Sequence, residues 1–433
     1  MRNVFVNNLL SKKTCFVGFV ILSGLFGSVY AQSPAVNAVS LPSLIERLLQ
    51  NNAQLRSAAG VVRAAQFGVD PARAPDNPTF NVSQDPLRHN PFAVGTSTGM
   101  AWSISQNIYW PGKRQLAGDI VQAQANSTKE QVDQLKIQLL GQLKSSWISW
   151  QQTNAQINVS TIQAERLEQI KEILRVRYAN NAAAYVDFIN AQVTQAQIKS
   201  DIIGLERQAQ TFQSQIAVLI GQSSDEPKIQ LAVEHVTADK ERSPLTSFKV
   251  KAHEVNPLVK ASKFSVEAAQ RVVELAELGK RPDFSVGVTS HSAAPPWGFS
   301  NSDSYGLSVG VTFPLYFLQK EKNLIDQAKA QLGSARDADE SLLQQIDLAV
   351  ETAYLQWAQS LEQLKLVEER VVAQARVGYR LALSNYSNNQ MSYAELLNSY
   401  NALRSAELSA EQARANALQS RIALNVAVGD VQK

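Results

Sequence analysis

The two halves of the sequence resemble each other, and this internal repeat limits the possible folds more than any other feature. Four pairs of stretches match in the same order: 77–82 with 281–286, 103–125 with 308–330, 147–150 with 354–357, and 178–190 with 386–398. Both halves close on a glycine, Gly221 and Gly429. Matches at spacings of 204 to 208 residues and in one order indicate two copies of one structural unit, here named repeat 1 and repeat 2.

Each repeat predicts a helix, two strands, a long helix, a turn and a second helix. Leu44, Leu48 and Leu55 have helical spacing, which predicts a helix over 41–66 that ends before Pro71. Alternation of apolar and polar residues predicts strands at 79–84 and 99–110 of repeat 1. The same alternation recurs in repeat 2 at 284–288 and 307–313.

The helices after the strands are predicted to be far longer than those of ordinary globular proteins. No proline occurs between Gly112 and Glu226, so a helix over 113–178 would extend about 99 Å at 1.5 Å per residue. Residues 318–384 predict its counterpart in repeat 2. Shorter return helices are predicted at 185–220 and 393–428. Two such hairpins favour a long cylinder over a globule.

The first 31 residues predict a secretory signal peptide that is cleaved near Ala31. Three basic residues precede the apolar run 15–30, which is short for a membrane anchor, the alternative interpretation. The one cysteine, Cys15, lies in this leader, so the mature chain has no disulfide and no thiolate metal site. The rest of the chain is predicted to divide into repeat 1 at 32–226, a linker at 227–244 and repeat 2 at 245–433.

Charge and motifs exclude several functional classes. The leader carries three bases and no acid, which leaves 38 basic against 38 acidic residues and argues against a nucleic-acid partner. The pattern Gly95-Thr-Ser-Thr-Gly99 precedes a strand, whereas a nucleophile elbow needs a strand followed by a helix. We therefore predict no catalytic residue, no cofactor and no metal site. The few potential metal ligands are scattered: His89, His235, His253, His291, Met100 and Met391.

Four predicted strands per chain are too few for a membrane barrel, which starts at about eight strands. No later stretch has 18 unbroken apolar residues, so no transmembrane helix is expected either. Strands in lipid would therefore have to be shared among identical chains. Aromatic residues, which favour the membrane interface, flank the strands, although a soluble sheet with aromatic edges stays an alternative: Phe92, Trp102, Tyr109, Trp110, Trp297, Phe299, Phe313, Tyr316 and Phe317.

With this element order behind a signal peptide, the chain resembles the TolC family of outer membrane efflux proteins. Residues Gln106, Pro111, Gly112, Lys113 and Arg114 resemble the Q-x-x-x-x-P-G-K-R stretch of the branch associated with heavy-metal and cation efflux. The resemblance implies an α+β membrane protein, in which a homotrimer shares a twelve-stranded barrel in the outer membrane lipid and an α-helical tunnel through the periplasm. It also implies a periplasmic adaptor and an inner-membrane pump, commonly of the resistance–nodulation–division class.

The resemblance places the periplasmic mouth at the turns that reverse the long helices. Our hypothesis is that the tips and the adaptor contact are formed by Tyr178, Asn180, Asn181, Tyr185, Tyr386, Asn388, Asn389 and Tyr393. The alternative is ordinary helix capping, because asparagine tolerates the left-handed conformation of a helix end. Repeat 2 departs from the family pattern at the strand-to-helix junction, where it has Tyr-Phe-Leu-Gln in place of Pro-Gly-Lys-Arg.

Charged residues beside these turns suggest two further roles. Asp187 and Glu395 would form a charge ring at the pore mouth in a trimer, or would serve as first-turn acids favoured by the helix dipole. Four arginines before the turns would lock a closed state, or would be solvated surface charges: Arg175, Arg177, Arg376 and Arg380. Trp150 and Trp357, at matching depth in the long helices, are predicted to pack against residues 222–244, which would form a belt around the tunnel.

The function predicted from these observations is a passive exit duct of a tripartite efflux system for metal cations or drugs, and not an enzyme. An outer membrane duct of a type I protein secretion system is an alternative within the same class. A soluble periplasmic coiled-coil adaptor is an alternative from a different class, although the paired strand hairpins disfavour it.

Overall fold

The computed structural model describes residues 39–85, 99–223, 229–233, 243–292 and 304–430. The signal peptide, His89, His235 and the aromatic residues Phe92, Trp297 and Phe299 lie outside these ranges, as do all but the last residue of the Gly95 to Gly99 pattern. The predictions about them are therefore not addressed by the structure.

The same succession of elements occurs in both repeats. Repeat 1 contains α1 (Leu41–Asn51), α2 (Ala53–Phe67), α3 (Val69–Arg73), β1 (Thr79–Asp85), β2 (Gly99–Ile108), α4 (Lys113–Ala179) and α5 (Tyr185–Leu219). Repeat 2 contains α6 (Leu245–Val255), α7 (Pro257–Leu278), β3 (Asp283–Ser292), β4 (Ser304–Thr312), α8 (Glu321–Leu366), a π-helical segment (Val367–Val372), α9 (Ala373–Ser387) and α10 (Tyr393–Val428). None of the helices in these described ranges is both long and apolar enough to cross a membrane.

The first helix of each repeat is broken at a buried asparagine, so the single helix predicted over 41–66 is wrong. Asn52 takes an extended backbone conformation and accepts a hydrogen bond from the Leu55 amide, which caps α2. Its side-chain amide donates to the Leu219 carbonyl at the end of α5. Asn256 makes the equivalent bonds in repeat 2. The predicted end near residue 66 is confirmed, because α2 ends at Phe67, but a short helix that was not predicted, α3, follows and includes Pro71.

The long helix α4 has 67 residues and begins and ends within one residue of its prediction. Its counterpart in repeat 2 is not continuous α-helix. It begins at Glu321, three residues later than predicted, because residues 315–320 form turns. It then contains the six-residue π-helical segment, which the sequence did not predict.

The spacing of the two repeats explains the π-helical segment. Trp150 and Trp357 are 207 positions apart, whereas Tyr178 and Tyr386 are 208 apart, so repeat 2 gains one residue between these points. A π-bulge holds one extra residue in a single turn without ending the helix. The segment lies in this interval, and the helix beyond it therefore keeps the rotational phase of repeat 1.

Both hairpins close with the same backbone geometry at all four helix ends. Asn181 and Asn389 have φ of 55° and 61°, and they are the non-glycine residues with positive φ in the described part of the chain. Gly221 and Gly429 take the same region at the ends of α5 and α10. Each forms a Schellman motif, as in the bond from the Ala182 amide to the Arg177 carbonyl. The predicted left-handed role of asparagine is confirmed at these two positions.

The four strands form one antiparallel sheet in the order β1-β2-β3-β4, and its two faces differ sharply. In the register, Phe80 lies opposite Ile104, Ile104 opposite Val288, and Val288 opposite Leu307. The apolar face carries Phe80, Val82, Trp102, Ile104, Ile108, Phe284, Val286, Val288, Tyr305, Leu307, Val309 and Val311. The polar face carries Thr79, Asn81, Ser83, Ser103, Ser105, Asn107, Ser285, Thr289, His291, Ser308 and Thr312, with glycines between them.

The helices bury three main apolar clusters along their length. Trp147 and Trp150 of α4 pack with Leu231 of the linker, which forms a parallel β-bridge with Val39. Trp357 packs with Phe248 of α6 and lies 1% exposed. Both mid-helix tryptophans are buried as predicted, but Trp150 packs against the linker whereas Trp357 packs against α6. The third cluster lies near the turns and contains Tyr379, Tyr386, Tyr393 and Tyr400.

Candidate functional sites at the two ends of the long helices

The predicted junction motif ties the first long helix to repeat 2. Gly112 has φ of 94°, which permits the turn that leads from β2 into α4. Lys113 Nζ lies 2.9 Å from both carboxylate oxygens of Asp283, at the start of β3. The Trp110 amide donates to the same carboxylate at 2.8 Å. One aspartate therefore holds two groups of the turn that contains Pro111.

Arg114 and Gln106 tie the same junction to the chain that enters β1. The Arg114 guanidinium forms an ion pair with Asp76 at 2.9 Å and lies 4.5 Å from the centre of the Tyr109 ring. Gln106 Nε2 donates to the Asp76 carbonyl at 2.8 Å. A hydrogen bond from the Tyr109 hydroxyl, followed by one from Arg114, lowers the pKa of the Asp76 carboxyl. Sequence reasoning missed Asp76 and Asp283, although each stands close before or at the start of a predicted strand.

The equivalent junction of repeat 2 lacks these ties and is apolar. Tyr316, Phe317, Leu318 and Gln319 replace Pro111, Gly112, Lys113 and Arg114 at a spacing of 205. The side chains of this segment are strongly exposed, at 63% for Phe313, 84% for Leu315, 72% for Tyr316 and 75% for Leu318.

At the other end, the matched tyrosines of the two turns have opposite environments. The rings of Tyr178 and Tyr185 are 5.4 Å apart and about half exposed. The rings of Tyr386 and Tyr393 are 6.4 Å apart and nearly fully buried. Burial raises the pKa of both buried phenols, that of Tyr393 to about 12. The repeat 1 tip is therefore the aromatic surface of the pair.

Arg177 joins the two tips. Its guanidinium donates to the Tyr386 carbonyl at 2.5 Å and to the Ala182 carbonyl at 3.2 Å. It also lies 4.2 Å from the centre of the Tyr386 ring, within the range of a cation–π interaction. Asn180 and Asn388 occupy the cap positions that precede the left-handed residues Asn181 and Asn389.

The two first-turn acids are not equivalent. Glu395 forms a reciprocal capping box with Ser392, and the Ser392 backbone amide lowers the pKa of its carboxyl. Asp187 makes no capping bond, and its charge raises the pKa of the nearby Tyr386 and Tyr393. The first-turn interpretation therefore describes Glu395 well. A charge ring is not tested by one chain and stays a prediction.

The four arginines proposed to lock a closed state also differ from one another in their partners. Arg175 pairs with Glu172 on an exposed helix face, which matches the solvated alternative. Arg380 is exposed and forms no ion pair within the described ranges. Arg376 bonds Glu407 at 3.2 Å. Arg177 and Arg376 are thus the two that join separate helices.

Glu407 is a buried carboxylate that sequence reasoning missed. It is 8% exposed on α10 and accepts from Arg166 at 2.9 Å and from Gln163 at 2.6 Å, both on α4. With Arg376 it connects three helices. The positions equivalent to Arg376 and Glu407 in repeat 1 are Glu168 and Lys199, so the charges are inverted. The sequence did contain a signal for Glu407, namely this inversion of charge between residues that are 208 positions apart.

Within the described residues, no three histidine, cysteine, aspartate or glutamate side chains lie close enough to hold a metal ion. His253 Nε2 lies 2.9 Å from Asp347 Oδ1, which is a pair and not a group of three.

Comparison with known proteins identifies the family. The profile of the outer membrane efflux protein family matches residues 44–222 and 250–430, one match in each repeat. The chain belongs to this family. The predicted resemblance to TolC-type outer membrane efflux proteins is thereby confirmed.

Individual outer membrane efflux proteins are distant in sequence and close in fold. The pyoverdine export outer membrane protein OpmQ of Pseudomonas aeruginosa is 22% identical over 418 residues, covering 91% of this chain and 86% of OpmQ. The outer-membrane channel OprN has a TM-score of 0.77 at 18% identity, covering 90% of this chain and 89% of OprN. CusC has a TM-score of 0.76 at 17% identity, covering 90% of this chain and 92% of CusC.

Proposed function

We propose that this protein is the outer membrane channel of a tripartite efflux system and acts as a passive exit duct for small solutes, with no enzymatic activity. The observation that carries the proposal is the two-faced sheet with two open edges, placed at one end of the long helices. In this proposal the signal peptide directs the chain to a Gram-negative outer membrane. Repeat 1 (32–226), the linker (227–244) and repeat 2 (245–433) are the structural units of the duct.

The sheet has the composition of a membrane barrel wall. Valine, isoleucine and aromatic side chains on one face suit lipid, and serine, threonine and asparagine on the other suit water. Unpaired backbone groups at the outer edges of β1 and β4 would cost several kcal/mol each in lipid. Three chains would supply twelve strands and close these edges.

Exposed apolar stripes on the helices support the same oligomer. On α5 the stripe lies within an arc of about 100° and contains Val186, Ile189, Val193, Ile203 and Val218. On α8 the stripe contains Leu348, Leu355 and Leu366. Large exposed apolar surface marks an interaction site. Two different stripes per chain suit a head-to-tail ring, in which α5 of one subunit faces α8 of the next.

The partners and the cargo rest on the family resemblance. The exposed tyrosines Tyr178 and Tyr185 suit contact with a periplasmic adaptor, and a pump of the resistance–nodulation–division class would supply the energy. The stretch from Pro111 to Arg114 favours metal cations, while drugs are the other proposed cargo. No observation in the described part of the chain favours a type I secretion duct or a soluble adaptor.

The oligomeric mass of the mature protein tests the proposal. After extraction from outer membranes in detergent, we expect a trimer that dissociates to monomers on heating. Mass photometry and unheated electrophoresis would measure it, and a protein of the inner membrane serves as the fractionation control. A water-soluble monomer would refute the shared barrel and return the adaptor alternative.

Arg177 is expected to hold the tips closed. In Arg177→Ala, loss of the bonds to Tyr386 and Ala182 should raise the single-channel conductance in planar bilayers several-fold. Arg175→Ala is the matched control, because its partner lies on its own helix, and it should conduct like the unchanged protein. Equal conductance of the unchanged protein and the two variants would show that Arg177 does not hold the tips closed.

A further inference from the structure

The β2–β3 pairing inside one chain is a template for the contact between two subunits. It joins the last strand of repeat 1 to the first strand of repeat 2. In a closed barrel, β4 would meet β1 of the next subunit, which again joins the last strand of one repeat to the first strand of the other. This inference rests on the proposed trimeric barrel and specifies its subunit seam.

The repeat spacing converts the internal register into a seam register. Within the chain, Gln106 lies opposite Val286 and Ile108 opposite Phe284. Strand β4 follows β2 at a spacing of 205, and β1 precedes β3 at a spacing of 204. We propose that β4 pairs antiparallel with β1 of the next subunit so that Val311 faces Val82 of the partner subunit and Phe313 faces Phe80 of the partner subunit.

This register agrees with the two faces of the sheet. Val82 and Phe80 lie on the apolar face in the β1–β2 register, and Val311 lies on that face in the β3–β4 register. Because side chains alternate along a strand, shifting the β4–β1 register by one residue would place the apolar side chains of one strand beside the polar side chains of the other. The proposed pairs therefore keep one continuous apolar surface across the seam.

The seam also lacks the ion pair that closes the internal junction. The equivalents of Lys113 and Asp283 are Leu318 and Thr79, neither of which is charged. The stacked pair of Trp110 and Phe284, with ring centres 6.2 Å apart, corresponds to Leu315 and Phe80. The exposed segment from Phe313 to Leu318 thus covers the partner subunit by apolar contact, where the internal junction uses charge.

Cysteine pairs test the register, because the mature chain contains no cysteine. Val82→Cys with Val311→Cys should form covalent dimers and trimers on mild oxidation, since side chains directly opposite lie within disulfide reach. Val82→Cys with Val309→Cys, one diagonal away, should give far less product. Gln106→Cys with Val286→Cys is the positive control and should cross-link within the chain, without multimers.

The outcomes separate this inference from the proposed function. A heat-sensitive trimer in which the Val309 pair cross-links better than the Val311 pair, or in which neither does, overturns the register. A mature protein that is monomeric throughout refutes the shared barrel itself.

Transplanting the ion pair tests the uncharged seam. Leu318→Lys combined with Thr79→Asp should raise the temperature at which the trimer dissociates above the value expected from adding the two single variants. Additive effects would overturn the contact. Brominated phospholipids that quench the Leu318→Trp variant by a larger fraction than the unchanged trimer would assign the segment to lipid and likewise overturn the contact.

Discussion

A chain that lacks Glu369 is expected to fold and assemble normally, whereas a chain that lacks Thr161 is expected to fail. The two residues are equivalent at a spacing of 208. Glu369 lies in the π-helical segment, so its deletion should convert that turn to α-helix and leave the phase of the tip unchanged. We expect a change in unfolding free energy within about 1 kcal/mol, as for other surface changes.

Thr161 lies in uninterrupted α-helix, where no extra residue can absorb a deletion. Each residue turns a helix by about 100°, so the deletion would rotate Leu167, Ile170 and Leu174 out of their buried cluster. Losing a buried leucine or isoleucine costs about 2 to 5 kcal/mol. The sum approaches the whole stability of a domain.

Thermal denaturation followed by circular dichroism, with trimer content from unheated electrophoresis, measures both deletions. Comparable loss of trimer in the two variants would contradict this explanation. It would show that the π-helical conformation is itself needed for folding and does not merely accommodate one inserted residue. Insertion of one alanine at position 161 is the complementary variant, and we expect it to damage the fold less if α4 can form its own bulge.

Replacing Glu407 by glutamine is expected to loosen the contact between α4 and the second hairpin. The neutral amide leaves Arg166 and Arg376 without their shared carboxylate. Breaking a buried ion pair on one side costs about 3 to 5 kcal/mol, and partial exposure of both arginines reduces the expected loss to about 2 to 3 kcal/mol.

Glu168→Gln is the matched control for this substitution, because Glu168 holds the position in repeat 1 where repeat 2 has Arg376. Its side chain is 51% exposed, pairs with Lys171 of the same helix and accepts a hydrogen bond from Gln195 of α5, so a smaller change in melting temperature is expected. If Glu407→Gln and Glu168→Gln melt alike, Glu407 does not join the helices.

Periodic patterns predicted most of the fold, because they are repeated over many residues. Apolar alternation predicted the strands that contain Phe80, Val82 and Val309, and the absence of proline gave the length of α4. The breaks at Asn52 and Asn256 escaped this reasoning, since a buried asparagine is held by a distant carbonyl that no local pattern contains. The same applies to the partners Asp76 and Asp283.

The candidate sites were predicted less well than the fold, because equal residues in the two repeats meet unequal surroundings. Tyr178 and Tyr386 occupy the same place in the pattern, yet the first is 49% exposed and the second 2%. The periodicity within one repeat does not show which of two equivalent side chains becomes buried when the repeats pack together. The junction motif was recognised from a resemblance, and the structure adds the carboxylates that its lysine and arginine bind.

In the proposed barrel, where the polar face of the sheet lines the channel, this face has a consequence for the kinetics of transport. Its described side chains are small alcohols and amides with glycines, apart from Ala101, His291 and Asp283, the last of which Lys113 neutralises. A wall of this kind offers a solute many weak, interchangeable hydrogen bonds and no deep binding well. Passage along it would therefore rise in proportion to concentration without saturating, so any saturation of export would have to arise before a solute reaches the sheet.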